Sequence, residues 1–182
     1  MAKAIAVCNQ KGGVGKSTTA VSLGAYFASQ GKKTLLVDLD AQGNASTSCG
    51  IVRTQLHKSS YDVIVDGVTI SEAIIKTQIP GLEILPSTID LAGAESSLSQ
   101  RLSREFMLRS ACEPIKHQYD VLLFDCPPAL GLITVNALAA ADYVIVPVQC
   151  EYLALEGLNT LTQTINLVKT SGVNPHLEIA GI

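Results

Sequence analysis

Apolar residues fall in short unbroken runs along this chain, and between the runs they recur every three or four positions. Residues 4–8, Ala4-Ile5-Ala6-Val7-Cys8, make the first run. Further runs occupy 33–38, 82–86, 119–124 and 143–148, and a sixth opens over 176–182. Unbroken apolar stretches of this length are strands buried on both faces. Helical spacing is clearest over 17–30, where Ala20, Leu23, Phe27 and Ala28 share one face. It also predicts helices near 71–76, at 89–115, at 131–140 and at 154–171. The stretch 43–71 is the least regular and reads as a long loop. Strand alternating with helix predicts an α/β fold, a doubly wound and mostly parallel sheet with helices on both faces. Ligands of such a sheet bind beyond the carboxyl ends of its strands.

The first strand and first helix are joined by Lys11-Gly12-Gly13-Val14-Gly15-Lys16-Ser17-Thr18. Strand, glycine-rich turn and helix is the setting of a phosphate-binding loop. Glycines let successive N–H groups turn onto phosphate oxygens, and the helix N-terminus adds unsatisfied donors and partial positive charge. In such a loop Lys16 reaches the β- and γ-phosphates, and the Ser17 hydroxyl completes a Mg²⁺ shell. Gln10 stands where the standard pattern places its first glycine, and an extra lysine, Lys11, follows it. A dinucleotide-binding G-x-G-x-x-G fails, because Thr18 occupies the last glycine position. The fold class narrows to a P-loop nucleoside triphosphatase.

Composition changes this picture little. The chain of 182 residues is 47% apolar, 16% charged and free of tryptophan, which fits one α/β domain with a single core. A net charge of −3 gives no overall basic field for nucleic acid, although a local patch, particularly one formed by a dimer, stays compatible with it. The five cysteines, Cys8, Cys49, Cys112, Cys126 and Cys150, are scattered mostly through apolar stretches and read as reduced, buried thiols of a cytoplasmic protein. No apolar run reaches membrane-spanning length. The histidines His57, His117 and His176 are isolated in sequence, which favours surface or capping roles over metal ligation.

Two acidic positions follow strands. Asp38 closes the second strand, and Asp40 stands two residues on, in Asp38-Leu39-Asp40-Ala41-Gln42-Gly43-Asn44. Asp40 is either a group of the phosphate site or a turn residue. Asp125 follows the apolar run Val121-Leu122-Leu123-Phe124 and precedes Cys126-Pro127-Pro128. An acid at that strand tip suits the Walker-B role of holding Mg²⁺ directly or through water.

K-G-G-V-G-K-S-T, V-D-L-D-A-Q-G-N, F-D-C-P-P-A-L-G and V-P-V-Q-C-E-Y-L-A-L-E-G-L, in this order, resemble the ParA/Soj family of chromosome- and plasmid-partitioning ATPases, within the deviant Walker-A group. The resemblance runs over essentially the whole chain. It implies a slow, Mg²⁺-dependent ATPase that forms an ATP-dependent homodimer and binds DNA non-specifically. It also implies a ParB-type partner that stimulates hydrolysis, and a cytoplasmic, nucleoid-associated location. Lys11 resembles the signature lysine that crosses the dimer to the partner's nucleotide, Lys16 the P-loop lysine, and Ser17 the Mg²⁺ hydroxyl. Asp40 resembles the switch I aspartate that orients the attacking water, and Asp125 the switch II metal-site acid. Gly12, Gly13, Val14, Gly15 and Thr18 complete the nucleotide loop, and Pro147 and Gln149 are expected to border the base.

A MinD-like membrane-positioning ATPase is the alternative, but it carries a different switch I pattern and an amphipathic membrane helix, so no membrane partner is expected. A reductase resembling the nitrogenase iron protein needs two well-placed cluster cysteines, and Cys112 and Cys126 are wrongly spaced for it. A scaffold that binds ATP without hydrolysing it fits less well, since Lys11, Asp40 and Asp125 are all present. Residues 1–182 are expected to form a single ATPase domain lacking its C-terminal elements. Family members carry most of the basic residues implicated in DNA binding, and part of the adenine pocket, in a region past the position matching Ile182. No helix-turn-helix domain of the larger plasmid relatives is expected ahead of a loop that begins at residue 11.

Overall fold

The computed structural model describes residues 2–151 and 154–182. Its strands are β1 (Lys3–Val7), β2 (Thr34–Asp38), β3 (Ile75–Lys76), β4 (Leu82–Leu85), β5 (Val121–Asp125), β6 (Tyr143–Ile145) and β7 (Glu178–Gly181). Among the described residues they form one seven-stranded sheet in the order β3-β4-β2-β5-β1-β6-β7. Every pairing is parallel except that of β3 with β4. The predicted doubly wound, mostly parallel sheet is therefore what forms.

Successive side chains of a strand point to opposite faces, and the two halves of the core divide accordingly. Ala4, Ala6, Leu35, Val37, Leu122 and Phe124 are buried on one face. Val7, Leu36, Val121 and Leu123 are buried on the other. The second face is covered by α1 (Lys16–Ser29) and α2 (Asn44–Ser48). The first carries α3 (Ser60–Ile64), α4 (Ile70–Ala73), α5 (Ala94–Leu98), α6 (Met107–Cys112), α7 (Leu132–Ala140) and α8 (Ala154–Thr170).

On α1 the buried line runs through Ala20, Gly24 and Ala28, whereas Leu23 and Phe27 are only half-buried. Small residues let the helix axis lie close to the sheet. A Cβ on Gly24 would stand 3.1 Å from Leu82 Cδ1 and 3.5 Å from Leu123 Cδ1.

Three expectations need correction. The single helix over 89–115 is broken into Ile89–Gly93, α5, Arg104–Phe106 and α6, with Ser103 at a left-handed φ of 55° between them. Serine side chains compete for the backbone there: Ser99 Oγ donates to Ser96 O at 2.7 Å, and Arg104 Nη1 donates to Ser99 O at 2.5 Å. The helix near 71–76 ends at Ala73 and gives way to β3, because Thr77 Oγ1 donates to Leu82 O at 2.8 Å and closes a hairpin onto β4. The long loop over 43–71 contains α2, a short turn at Arg53–Gln55 and α3. At α3 Asp62 Oδ2 accepts from both the N–H and the hydroxyl of Ser59, each at 2.8 Å. Four cysteines are buried as expected, but Cys150 is exposed. Among the described residues no helix is long and apolar enough to cross a membrane.

Candidate nucleotide-binding site

Four neighbouring strands end at one level. Val7 of β1 lies opposite Asp125 of β5 and Ile145 of β6, and Asp38 of β2 lies opposite Asp125. The segments that follow these strands converge, and they carry the motifs that the sequence marks out.

The loop from β1 to α1 turns at Gly13 (φ 75°) and Gly15 (φ 89°), conformations that a side chain would strain. Nothing lies within 4 Å of where a Cβ would stand on Gly12, Gly13 or Gly15, so the loop's inner surface is an open cradle of backbone. Gly15 precedes α1, and no side chain caps the helix, so its first N–H groups are available to an anion. The cradle belongs to a cavity of about 400 Å³. Gly12, Gly13, Gly15, Lys16, Ser17 and Thr18 line it from the loop and α1, and Asp40, Gln42, Asn44, Ser48 and Pro128 complete the lining. Lys16 is buried, and its Nζ donates to Lys11 O at 3.1 Å, folded back onto the loop it serves. The Val14 side chain is buried.

Lys11 behaves differently. Its N–H donates to Asn9 Oδ1 at 3.0 Å, but its Nζ turns to the Glu151 carboxylate, and the residue does not line the cavity. Pro147 and Gln149 also lie outside that lining. Asn9 Nδ2 donates to Pro147 O at 2.7 Å and Gln149 Nε2 donates to Gly13 O at 3.3 Å, so both brace the loop from the β6 side. The Tyr152-Leu153 part of the fourth motif lies outside the described residues.

The acids complete the site. Asp125 is fully buried, and burial pushes its carboxyl up to about 7. The charges of Asp38 and Asp40 push the same way, while Ser17 and Lys16 act against them. No donor lies within hydrogen-bond distance of either Asp125 oxygen, although the Ser17 hydroxyl is near enough to favour the ionised form. An orphaned carboxylate in a dry strand end is costly, and a hydrated divalent cation beside Ser17 satisfies it. The residues therefore fit a Mg²⁺ ion arriving with a nucleotide. Asp38 is equally buried, and burial raises its carboxyl as well. Its oxygens are taken up: Oδ2 accepts from Ser46 N at 2.8 Å and Ser46 Oγ at 2.6 Å, and Oδ1 accepts from Asp40 N at 3.1 Å. Asp38 thus ties the Asp40 turn and α2 to the end of β2. Ser46 and Ser48 were not legible as site residues, since nothing in a serine-rich irregular stretch marks them; for Asp38 and Asn44 the D-L-D-A-Q-G-N motif was the available signal.

A glycine cradle at a helix N-terminus, a buried lysine folded onto it and an orphaned acid at the adjacent strand end define a P-loop nucleoside triphosphatase. The family model described as an AAA domain matches residues 2–179. Sporulation initiation inhibitor protein Soj of Bacillus subtilis is 50% identical over 182 residues, covering 100% of this chain and 72% of that protein. Chromosome partitioning protein ParA of Caulobacter vibrioides is 48% identical over 182 residues, covering 99% of this chain and 68% of its own length. A solved structure from Mycobacterium smegmatis, described as cobyrinic acid a,c-diamide synthase with bound ADP and magnesium, superposes with a TM-score of 0.94 at 44% identity, over 98% of this chain and 72% of that one. This chain belongs to the ParA/Soj family of partitioning ATPases.

Proposed function

We propose that this partitioning ATPase, which uses ATP and Mg²⁺, works as an ATP-assembled homodimer that binds DNA non-specifically and moves chromosome or plasmid DNA with a ParB-type partner. One observation carries the dimer reading: Lys11, on the nucleotide loop itself, does not face its own cavity. A cation placed outward at the rim is positioned to serve the nucleotide of a second subunit. DNA, the ParB-type partner and a cytoplasmic, nucleoid-associated location are supported by family membership.

Phosphoryl transfer needs little covalent chemistry from the protein, so positioning and charge carry the rate. In this reading the loop N–H groups of residues 12–18 hold the phosphates, and Lys16 releases Lys11 O to meet the β/γ oxygens. Asp40, which lines the same cavity, orients the attacking water. Ser17 and Asp125 would hold Mg²⁺, which would supply positive charge to the phosphate oxygens. Lys11 from the partner adds a second cation at the same centre.

Sedimentation with a slowly hydrolysed ATP analogue tests the reading. The parent is expected to dimerise only with the analogue, and Lys11→Ala to bind the analogue as a monomer and to lose nucleotide-dependent DNA binding. A Lys11→Ala protein that still dimerises on the analogue overturns it.

A further inference from the structure

Arg53 pairs with no carboxylate among the described residues; its guanidinium is spread over three main-chain carbonyls. Nη2 donates to Ala41 O at 2.7 Å, Nη1 to Gln42 O at 2.5 Å, and Nε to Ser87 O at 3.0 Å. Ala41 and Gln42 directly follow Asp40. The fork therefore grips, through its main-chain carbonyls, the turn whose Asp40 and Gln42 line the cavity. Gly43 makes the grip possible, since the guanidinium stands where a Cβ on that residue would be.

We propose that Arg53 is a positioning residue for hydrolysis, holding the Asp40 carboxylate in place by clamping the turn that carries it. The proposal rests on the reading of Asp40 as the group that orients the attacking water. The turn is already shaped from within. Gly43 N donates to Asp40 O at 2.8 Å, Gln42 N donates to Asp40 Oδ1 at 2.9 Å, and Asp38 takes the Asp40 N–H. These bonds lie within the turn or run to Asp38 at the end of β2. Arg53 ties the turn to a second strand end, because Ser87 follows β4 and its N–H donates to Ser46 Oγ at 3.0 Å. The loops after β2 and β4 become one unit. A planar fork is suited to this, since it spans several acceptors with fixed directions; a lysine ammonium is a single point charge.

Arg53 does not line the cavity, so its influence passes through the turn and falls on turnover rather than on nucleotide affinity. A displacement of a catalytic group by an ångström costs up to about a hundredfold in rate. Loosening rather than removing the turn is expected to cost about tenfold.

The test is a double-mutant cycle on the intact protein, with kcat and KM for ATP measured for the parent, Arg53→Ala, Arg53→Lys, Asp40→Ala and Arg53→Ala/Asp40→Ala. The expected result is a kcat about tenfold lower in Arg53→Ala with KM unchanged, and partial recovery in Arg53→Lys. No further loss is expected on adding Arg53→Ala to Asp40→Ala. Three outcomes overturn the proposal alone: parent-like kcat in Arg53→Ala beside an impaired Asp40→Ala, a change confined to KM, or an equal loss from Arg53→Ala in both backgrounds. Turnover in Asp40→Ala within about threefold of the parent sinks the reading of Asp40 itself, and the clamp with it.

Discussion

Among the described residues, the buried side-chain oxygens and nitrogens without a hydrogen bond are Ser60 Oγ and the two carboxylate oxygens of Asp125. If Asp125 holds Mg²⁺ as proposed, function opposes stability at this residue. Its carboxyl is raised from 3.8 to about 7 by burial, so the folded state is penalised increasingly as pH rises from about 4 through 7. Three units correspond to about 4 kcal/mol at most, and relaxation and water entry reduce this to about 2 kcal/mol. Asp125→Asn is expected to raise the Tm of the nucleotide-free protein by roughly 4–8 °C at pH 8 and by almost nothing at pH 4. It is also expected to reduce the further rise that Mg²⁺ and ATP are expected to give the parent. Thermal scans at the two pH values check this, and equal Tm for parent and variant at pH 8 contradicts it.

At the scale of elements, α1 is fixed to the sheet by a line of small residues. Gly24→Leu is expected to destabilise by about 1–3 kcal/mol, because Leu82 and Leu123 fill the space that a larger side chain needs. Gly24→Ala is expected to be nearly neutral. Its Cβ meets the movable end of Leu82, and the gain in helix propensity, about 1 kcal/mol, offsets the crowding. Urea midpoints at unchanged slope read both values; destabilisation by Ala as large as that by Leu rejects the account. The same helix shows what the sequence made legible. β1, β2, β5, α1 and α7 were readable because unbroken apolar runs and helical spacing are local signals of burial. Lys16, Ser17, Asp40 and Asp125 were readable because they stand at fixed offsets from those runs. The serine-rich stretches on either side of β4 were not. Their breaks depend on partners distant in sequence, such as Asn136, whose Oδ1 accepts from Leu108 N at 3.1 Å and whose Nδ2 donates to Arg104 O at 2.8 Å. Asp38 is similar, since its bonds to Ser46 appear only once α2 has folded back beneath β2.

The whole molecule keeps the two loop lysines in different states. Lys16 is turned inward, whereas Lys11 is held at the rim by Glu151 of the same chain. If Lys11 serves a second subunit, that pair must open first, and assembly competes with it. Both side chains are partly exposed, at 35% and 56%, so the pair contributes no more than about 1 kcal/mol. Two such pairs open in each dimer, so Glu151→Ala is expected to tighten dimerisation on the ATP analogue by up to about thirtyfold. Analytical ultracentrifugation over a concentration series measures this, and weaker dimerisation in the variant counts against the competition.

The position of β1 between β5 and β6 has a consequence for how the protein is made. β1 precedes the other described strands in sequence, yet both of its neighbours come much later: Cys8 and Cys126, in contact just past the ends of β1 and β5, are 118 residues apart. At ordinary synthesis rates that interval lasts roughly 6–24 s. Throughout it the nascent chain carries the complete glycine loop with no strand on either side to hold it in shape. The segment that most plainly announces a nucleotide thus lacks both flanking strands until well over a hundred further residues have emerged, and chains stalled on the ribosome before Asp125 are expected to retain no ATP analogue.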